Sequence, residues 1–263
     1  MSKNEFEPVG IVCVADTHFH ADPAENKILE ERITALMTKH PASVLAIAGD
    51  ITDNGKVEEY REAFRVLTPW KGRLFLAQGN HDFGFQGLTW EPEAVKRWNQ
   101  LCVALGVQDV DCIIKSTTGA PWWLCVIDST IAEESILNLA QGEVGGAEMN
   151  RASHAIKMAH RLGIRVALLM HHTPVDSIRQ SSRSLWEEIE NGFQDWAEKL
   201  RDSSAFLKVA YGKADCIVAG HTHRNNAWTS TPESGSTTTL LRSLGDLRTK
   251  DADWMDSAVL VLV

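Results

Sequence analysis

Short apolar runs alternate with amphipathic stretches along most of the chain, and this alternation limits the fold more than any other feature. Continuous apolar runs of this length are typical of strands covered on both faces. Such strands separated by helices predict an α/β fold with a largely parallel sheet. The predicted strands are residues 9–15, 44–48, 73–77, 123–127, 166–170 and 216–219.

Most of the segments between these strands show the periodicity of amphipathic helices. Apolar side chains recur near the helical period in residues 25–39, 56–67, 91–105 and 147–162. The later part differs, because segments 239–244 and 257–263 are predicted strands without an intervening helix, which favours a second, mixed sheet. Residues 176–215 carry the pattern of an amphipathic helix and could cap a site. We expect one domain over residues 1–263.

Composition excludes several classes of protein. The chain is 44% hydrophobic and 23% charged, which is typical of a soluble globular protein. Its net charge of -9 disfavours strong attraction to nucleic acid or anionic membranes. No apolar run approaches the roughly 18 residues of a membrane helix, and no secretion signal is recognised. We therefore expect a cytoplasmic protein without a membrane partner, and the sequence leaves a homo-oligomer open.

The five cysteines lack Cys-x-x-Cys spacing and are interpreted as reduced, mostly buried thiols.

Polar side chains stand directly after five of the predicted strands. Because ligands bind at the carboxyl ends of strands in open α/β sheets, these side chains should converge. The glycines before three of them permit tight turns and close approach. The candidates are Asp16 and His18; Asp50 and Asp53; Asn80 and His81; His171 or its neighbour His172; and His221 and His223.

The residue types indicate metal chemistry. Side chains two residues apart on an extended segment point to the same face, so Asp16 and His18 can bind one ion. Carboxylate, imidazole and amide donors without a thiolate suit Mn, Fe, Zn or Co. Seven ligands exceed what one catalytic ion with an open position needs, and they suit two divalent ions sharing a bridging carboxylate. Taken singly, each pair could also be only a polar surface turn.

The order of these fragments resembles that of the calcineurin-like metallophosphoesterase superfamily. The matching fragments are Asp16-x-His18, Gly49-Asp50-x-x-Asp53, Gly79-Asn80-His81-Asp82, His171 and Gly220-His221-x-His223. The resemblance implies two mixed β-sheets packed as a sandwich and flanked by helices, in four layers α/β/β/α. It also implies that Asp16, His18, Asp50 and His223 hold one metal, and that Asp50, Asn80, His171 and His221 hold the other.

The resemblance further implies a hydrolytic mechanism. A hydroxide held by the two metals attacks phosphorus in line. His81 resembles the family's histidine that contacts the phosphate and assists the leaving group, and Asp53 resembles its orienting partner. Asp53 stands where purple acid phosphatases carry a tyrosine ligand, which favours a divalent pair, Mn or mixed Fe/Mn.

The substrate expected from the resemblance is a small phosphodiester. Residues 48–55 and 171–174 are most similar to the bacterial branch acting on cyclic nucleotides or glycerophosphodiesters. Two alternatives remain at this point: a phosphomonoesterase of the same superfamily, and a non-catalytic scaffold with this fold. A scaffold predicts lost ligands, whereas here none is missing.

Overall fold

The computed structural model describes residues 7–107, 111–130, 141–174, 200–230, 237–249 and 253–263. Within them, a first sheet has the strand order β10-β1-β2-β3. Strands β1, β2 and β3 are parallel, and β10 is antiparallel to β1. Their bounds are Ile11–Val14 for β1, Val44–Ala48 for β2, Leu74–Ala77 for β3 and Leu260–Leu262 for β10.

A second sheet has the strand order β4-β5-β6-β7-β9-β8. Its four inner strands, β5, β6, β7 and β9, are parallel, whereas the edge strands β4 and β8 are antiparallel to their neighbours. The bounds are Cys112–Ile114 for β4, Trp122–Val126 for β5, Arg165–Leu169 for β6, Cys216–Ala219 for β7, Asn226–Thr229 for β8 and Leu240–Ser243 for β9.

Helices cover the outer face of each sheet. The first sheet carries α1 (Lys27–Lys39), α2 (Val57–Leu67), α3 (Pro92–Leu105) and the short α6 (Trp254–Ala258). The second sheet carries α4 (Gly145–Leu162) and α5 (Ser203–Ala210). Three 3₁₀ segments, Thr68–Trp70, Asn80–Phe83 and Phe85–Gly87, complete the described elements.

Successive side chains of β1 point to opposite faces of the first sheet and so join two different layers of the core. Val12 and Val14 pack into a cluster with the helices α1, α2 and α3, while Ile11 and Cys13 point the other way, into a cluster shared by the two sheets. All four side chains are fully buried, because the strand is covered on both faces. The expectation of two mixed sheets packed face to face and flanked by helices is confirmed.

The structure differs from the sequence expectations in a few elements. Strands β4 and β8 were not expected, and α6 lies between β9 and β10, where no helix was expected. Residues 176–199 of the predicted cap over 176–215 lie outside the described ranges, and its described remainder contains α5. All five cysteines are free thiols, three of them buried. In the described ranges we find no helix both long and apolar enough to cross a membrane.

Candidate metal centre

The loops after five strands meet at one end of the sandwich. The loops after β1, β2 and β3 come from the first sheet, and those after β6 and β7 come from the second. The side chains at the centre are largely buried, apart from the partly exposed His221 and the exposed His223. The residues brought together are Asp16, His18, Asp50, Asn80, His171, His221 and His223.

One group of donor atoms comprises Asp16, His18, Asp50 and His223, whose donor atoms all lie within 4.8 Å of one another. Nε2 of His18 lies 3.2 Å from Nε2 of His223 and 3.6 Å from Oδ2 of Asp50. Nε2 of His223 lies 3.9 Å from Oδ1 of Asp16. Two carboxylates and two imidazoles thus face a common point.

A second group surrounds Nε2 of His171. This atom lies 3.0 Å from Oδ1 of Asn80, 3.1 Å from Nδ1 of His221 and 3.3 Å from Oδ2 of Asp50. The same carboxylate oxygen of Asp50 therefore faces both groups, which is the position of a ligand shared by two cations.

Backbone conformation is unusual at these positions. Six non-glycine residues in the described ranges have positive φ, and five belong to the two groups. Aspartate and histidine tolerate the left-handed region better than most residues, although each such position stores strain. The reversed backbone lets the loops turn sharply at the strand ends. The five are Asp16 (φ 50°), His18 (42°), Asp50 (49°), His221 (73°) and His223 (52°).

Hydrogen bonds to the main chain hold several of the side chains. Oδ1 of Asp50 accepts the backbone N–H of His81 at 3.0 Å, which leaves Oδ2 to face both groups. Nδ1 of His171 lies 3.0 Å from the carbonyl oxygen of Ala48. Since a carbonyl only accepts, Nδ1 carries a hydrogen, and Nε2 is the ring atom left to face the centre.

Two glycines are required by close packing beneath the centre. A Cβ on Gly79 would lie 2.1 Å from Oδ1 of Asp50, and a Cβ on Gly49 would lie 2.4 Å from Nδ1 of His171. Any side chain at either position would displace one of these two residues.

The electrostatics of the centre favour a cation. Burial raises the pKa of Asp16 to about 6, and burial lowers that of His18 well below its usual value. Burial also opposes the charged forms of His171 and Asp50, yet their mutual attraction prevails, raising the pKa of His171 to about 9 and lowering that of Asp50. Buried acceptors this close together need positive charge between them, and divalent ions fit this donor set.

His81 is oriented by the main chain of Asp53. Nδ1 of His81 donates to the carbonyl oxygen of Asp53 at 2.8 Å. The side-chain carboxylate of Asp53 lies instead beside His18, with Oδ1 3.6 Å from Nδ1 of that ring. Asp53 thus contacts His81 through its main chain, and one ligand atom each from His18, Asp53 and His81 all lie within 4.8 Å of one another.

The two neighbouring histidines after β6 lie in different surroundings. His171 faces the centre, whereas His172 is bonded through Nδ1 to Oγ of Ser129, 3.0 Å away. His172 is fully buried, its ring lies 4.5 Å from that of His221, and burial lowers its pKa well below the usual value. His172 also belongs to a third group of close donors with His171 and His221. We interpret it as packing behind the ligands.

Sequence reasoning gave no role to Asp82 or Ser129. Asp82 is buried and accepts the backbone N–H groups of Thr52 at 2.8 Å and Gly79 at 2.9 Å, thereby joining the loops after β2 and β3. Burial raises its pKa to about 7. Its position two residues after Asn80 was the available signal, whereas nothing in the sequence pointed to Ser129.

The fold and these donors define a metallophosphoesterase. The chain matches the family model described as calcineurin-like phosphoesterase over residues 10–225, and it therefore belongs to this family. No curated protein sequence matches it.

Solved structures with similar folds are distant in sequence. A dimetal phosphatase from Danio rerio is 13% identical, with 97% of this chain and 92% of that one covered and a TM-score of 0.59. A calcineurin-like phosphoesterase from Bacillus subtilis is 15% identical, with 96% and 90% covered and a TM-score of 0.44. The anchor in the inner membrane complex of Plasmodium is 9% identical, with 96% and 80% covered and a TM-score of 0.49. At 13% identity, the likeness to the Danio rerio structure shows a shared fold only.

Proposed function

We propose that this metallophosphoesterase hydrolyses small phosphodiesters with a pair of divalent metal ions. The observation that carries the proposal is the position of Asp50, whose Oδ2 lies 3.6 Å from Nε2 of His18 and 3.3 Å from Nε2 of His171. A carboxylate oxygen between two imidazole groups is suited to bridge two ions.

Each ion has a proposed set of ligands. Asp16, His18, Asp50 and His223 hold the first ion, and Asn80, His171, His221 and the shared Asp50 hold the second. When bound, the ions supply positive charge that polarises the phosphate and makes water acidic enough to attack near neutral pH. Asp53, in place of the tyrosine ligand of purple acid phosphatases, supports Mn or mixed Fe/Mn, with Zn and Co as alternatives.

His81 is proposed as the group that assists the leaving oxygen. Its Nδ1 is engaged by the carbonyl of Asp53, so Nε2 is the atom that can deliver a proton or a positive charge to the departing ester. The ring lies 4.7 Å from that of His18, edge to face, which places it at the border of the metal centre. The carboxylate of Asp53 also lies beside His18, with Oδ1 3.6 Å from Nδ1 of that ring, and can support it.

Two observations disfavour a protein phosphatase and a non-catalytic scaffold. Asn54 and Asp82 occupy the positions where the superfamily's protein phosphatases carry arginine and glutamate. Every ligand of the motif is present and within reach of the centre, which disfavours a scaffold that has lost catalysis.

The test is hydrolysis of bis(p-nitrophenyl) phosphate and of p-nitrophenyl phosphate by protein depleted of metal and then loaded with Mn²⁺. We expect Mn-dependent turnover of both esters, with the higher kcat/KM for the diester. A higher value for the monoester would make the chain a phosphomonoesterase. No turnover of either ester with Mn, Fe, Zn or Co would contradict the enzymatic proposal.

A further inference from the structure

The side chain of Asn54 joins three segments beside the metal centre. Asn54 follows Asp53 in the loop after β2 and is only 8% exposed. Its Nδ2 donates to the carboxylate of Asp53 and to that of Glu59, which lies in the first turn of α2. Its Oδ1 accepts the backbone N–H of Gln86 at 3.0 Å, in the 3₁₀ segment Phe85–Gly87. One amide thus links the loop after β2, helix α2 and this 3₁₀ segment.

The surroundings of Asn54 require an amide. Carboxylates only accept hydrogen bonds and a backbone N–H only donates, so the side chain between them must donate at one end and accept at the other. The carboxylate of Glu59 is itself fixed, because it is 2% exposed and accepts the backbone N–H groups of Asn54 at 2.8 Å and Lys56 at 3.1 Å. Asn54 is therefore held firmly on the side of α2.

The segment Phe85–Gly87 in turn holds the amide of Asn80. The carbonyl oxygen of Gly87 accepts Nδ2 of Asn80 at 3.3 Å, so that Oδ1 of Asn80 faces Nε2 of His171 at 3.0 Å. The packing here is close, since a Cβ on Gly87 would lie 2.0 Å from Nδ2 of Asn80 and 2.7 Å from Cδ2 of His81. A shift of the segment would therefore move the oxygen of Asn80 and the ring of His81.

The side chains of this segment contribute little to its stability. Phe85 is 51% exposed and Gln86 is exposed as well, so they bury little apolar surface. Gln86 also has left-handed backbone, with φ 51°, which is a strained conformation for a residue other than glycine. Asn54 accepts the N–H of this strained residue, so its hydrogen bond stabilises the segment where the backbone opposes it.

We infer that Asn54 is a positioning residue, which acts through the segment Phe85–Gly87 to direct the oxygen of Asn80 towards the second metal and to keep the ring of His81 in place. The inference rests on the proposed function, because the metal-binding role of Asn80 and the catalytic role of His81 belong to it. It extends that function to a residue outside the proposed set of ligands.

The first test compares Mn²⁺ binding in Asn54→Ala, in Asn80→Ala and in the double variant, measured by isothermal titration calorimetry. We expect Asn54→Ala to raise the Kd of one of the two ions by roughly 10- to 100-fold, as for other groups that orient a metal ligand. If Asn54 acts through Asn80, the double variant should bind Mn²⁺ no more weakly than Asn80→Ala alone. Wild-type binding in Asn54→Ala, or additive losses in the double variant, would overturn the inference.

Ser43→Ala is the matched control for the loss of a buried hydrogen bond. Ser43 is 3% exposed, and its hydroxyl donates to the carbonyl of Val9 at 3.2 Å, at the amino end of β2 and so away from the metal centre. Both Ser43→Ala and Asn54→Ala should lower the melting temperature, but only Asn54→Ala should weaken Mn²⁺ binding. Weaker Mn²⁺ binding in both variants would show general destabilisation and would overturn the inference.

Gly87→Ala disturbs the same link from its other end. The added Cβ would displace the amide of Asn80, so this variant should also weaken the binding of one ion. Unchanged Mn²⁺ binding in Gly87→Ala would contradict the role of the segment.

Hydrogen–deuterium exchange of the metal-free protein tests the link without any metal. Asn54→Ala removes the acceptor of the Gln86 N–H, so exchange should become faster in peptides that cover residues 84–89. Ser43→Ala should leave exchange there unchanged. Wild-type exchange of residues 84–89 in Asn54→Ala would show that the segment does not depend on this hydrogen bond, and the inference would fall.

The outcomes separate this inference from the proposed function. Weaker Mn²⁺ binding and faster exchange in Asn54→Ala, together with a wild type that hydrolyses no ester, would contradict the catalytic proposal and leave the positioning of Asn80 standing. A wild type that hydrolyses esters, together with wild-type Mn²⁺ binding and exchange in Asn54→Ala, would overturn the inference alone.

Discussion

The carbonyl oxygen of Asp53 and Nδ1 of His81 lie 2.8 Å apart, so a main-chain atom orients the ring of His81. His81→Ala should therefore remove the group that assists the leaving oxygen without touching a metal ligand. We expect kcat to fall by roughly 10²- to 10⁴-fold. Metal content, measured by inductively coupled plasma mass spectrometry, should remain that of the wild type. Loss of metal in this variant would instead place His81 among the ligands.

Asp53→Asn should have a much smaller effect than His81→Ala. The substitution keeps the carbonyl that orients His81 and removes only the charge beside Nδ1 of His18. Removing a group that lies against the far nitrogen of a metal-binding histidine typically costs about 10- to 100-fold in metal affinity or activity. Titration of activity against Mn²⁺ should show the loss mainly as weaker metal activation. A fall in kcat equal to that of His81→Ala at saturating metal would show that the carboxylate serves His81 after all.

Asp50→Ala and Asn80→Ala should differ in how much metal they lose. The carboxylate oxygen of Asp50 faces both groups of donors, whereas Asn80 contacts only the group around His171. We expect Asp50→Ala to weaken both sites and Asn80→Ala to weaken one. Bound metal per chain after gel filtration measures the difference. Unchanged metal content in both variants would refute the proposed ligand sets.

Gly79→Ala should destabilise the fold as well as the site. The added Cβ would lie 2.1 Å from Oδ1 of Asp50, in a buried loop that can shift little. We expect a loss of about 2–3 kcal/mol in the free energy of unfolding in urea. Gly146→Ala is the control, because its Cβ meets nothing within 4 Å and lies on α4. There the substitution should be neutral or stabilising by up to about 1 kcal/mol. Equal effects at the two positions would show that the contact with Asp50 is unimportant.

Chelation should lower the melting temperature, because the donors come from both sheets. Asp16, His18, Asp50 and Asn80 follow strands of the first sheet, and His171, His221 and His223 follow strands of the second. A metal present at 100 times its Kd adds about 2.7 kcal/mol for each site, which corresponds to roughly 5–10 °C in a chain of this size. Differential scanning fluorimetry with and without Mn²⁺ checks this. Identical melting curves at a metal concentration that supports turnover would contradict it.

The sequence predicted those parts of the fold that depend on local pattern. Strand β2 has the expected bounds, because a continuous apolar run ends at a glycine. Strand β8, Asn226–Thr229, was missed because half of it is exposed and its residues alternate weakly, and such edge strands are defined by pairing with a distant segment. The order of strands within each sheet also depends on pairing between distant segments, so local sequence patterns do not predict it.

At the candidate site, too, some features follow from the sequence and others depend on contacts between distant segments. Convergence of the seven proposed ligands could be anticipated, because parallel strands bring their carboxyl ends together. The contact between Asp53 and His81 could not, since a carbonyl oxygen is present at every residue and its direction depends on φ and ψ. A cavity lined in part by His223, Asp246 and Ser257 could not be anticipated either, because its wall combines loops that follow β7 and β9 with a residue of α6.

Left-handed backbone at five of the proposed ligands has a consequence for the evolution of the chain. Conformations of this kind cost about 1–3 kcal/mol each, so the backbone of the proposed metal centre lowers the free energy of unfolding of the chain. Selection for heat resistance alone would relax these strand ends first and would abolish metal binding. A more thermostable descendant that still binds metal should therefore carry its changes on the helical surfaces, while Asp16, His18, Asp50, His221 and His223 stay as they are.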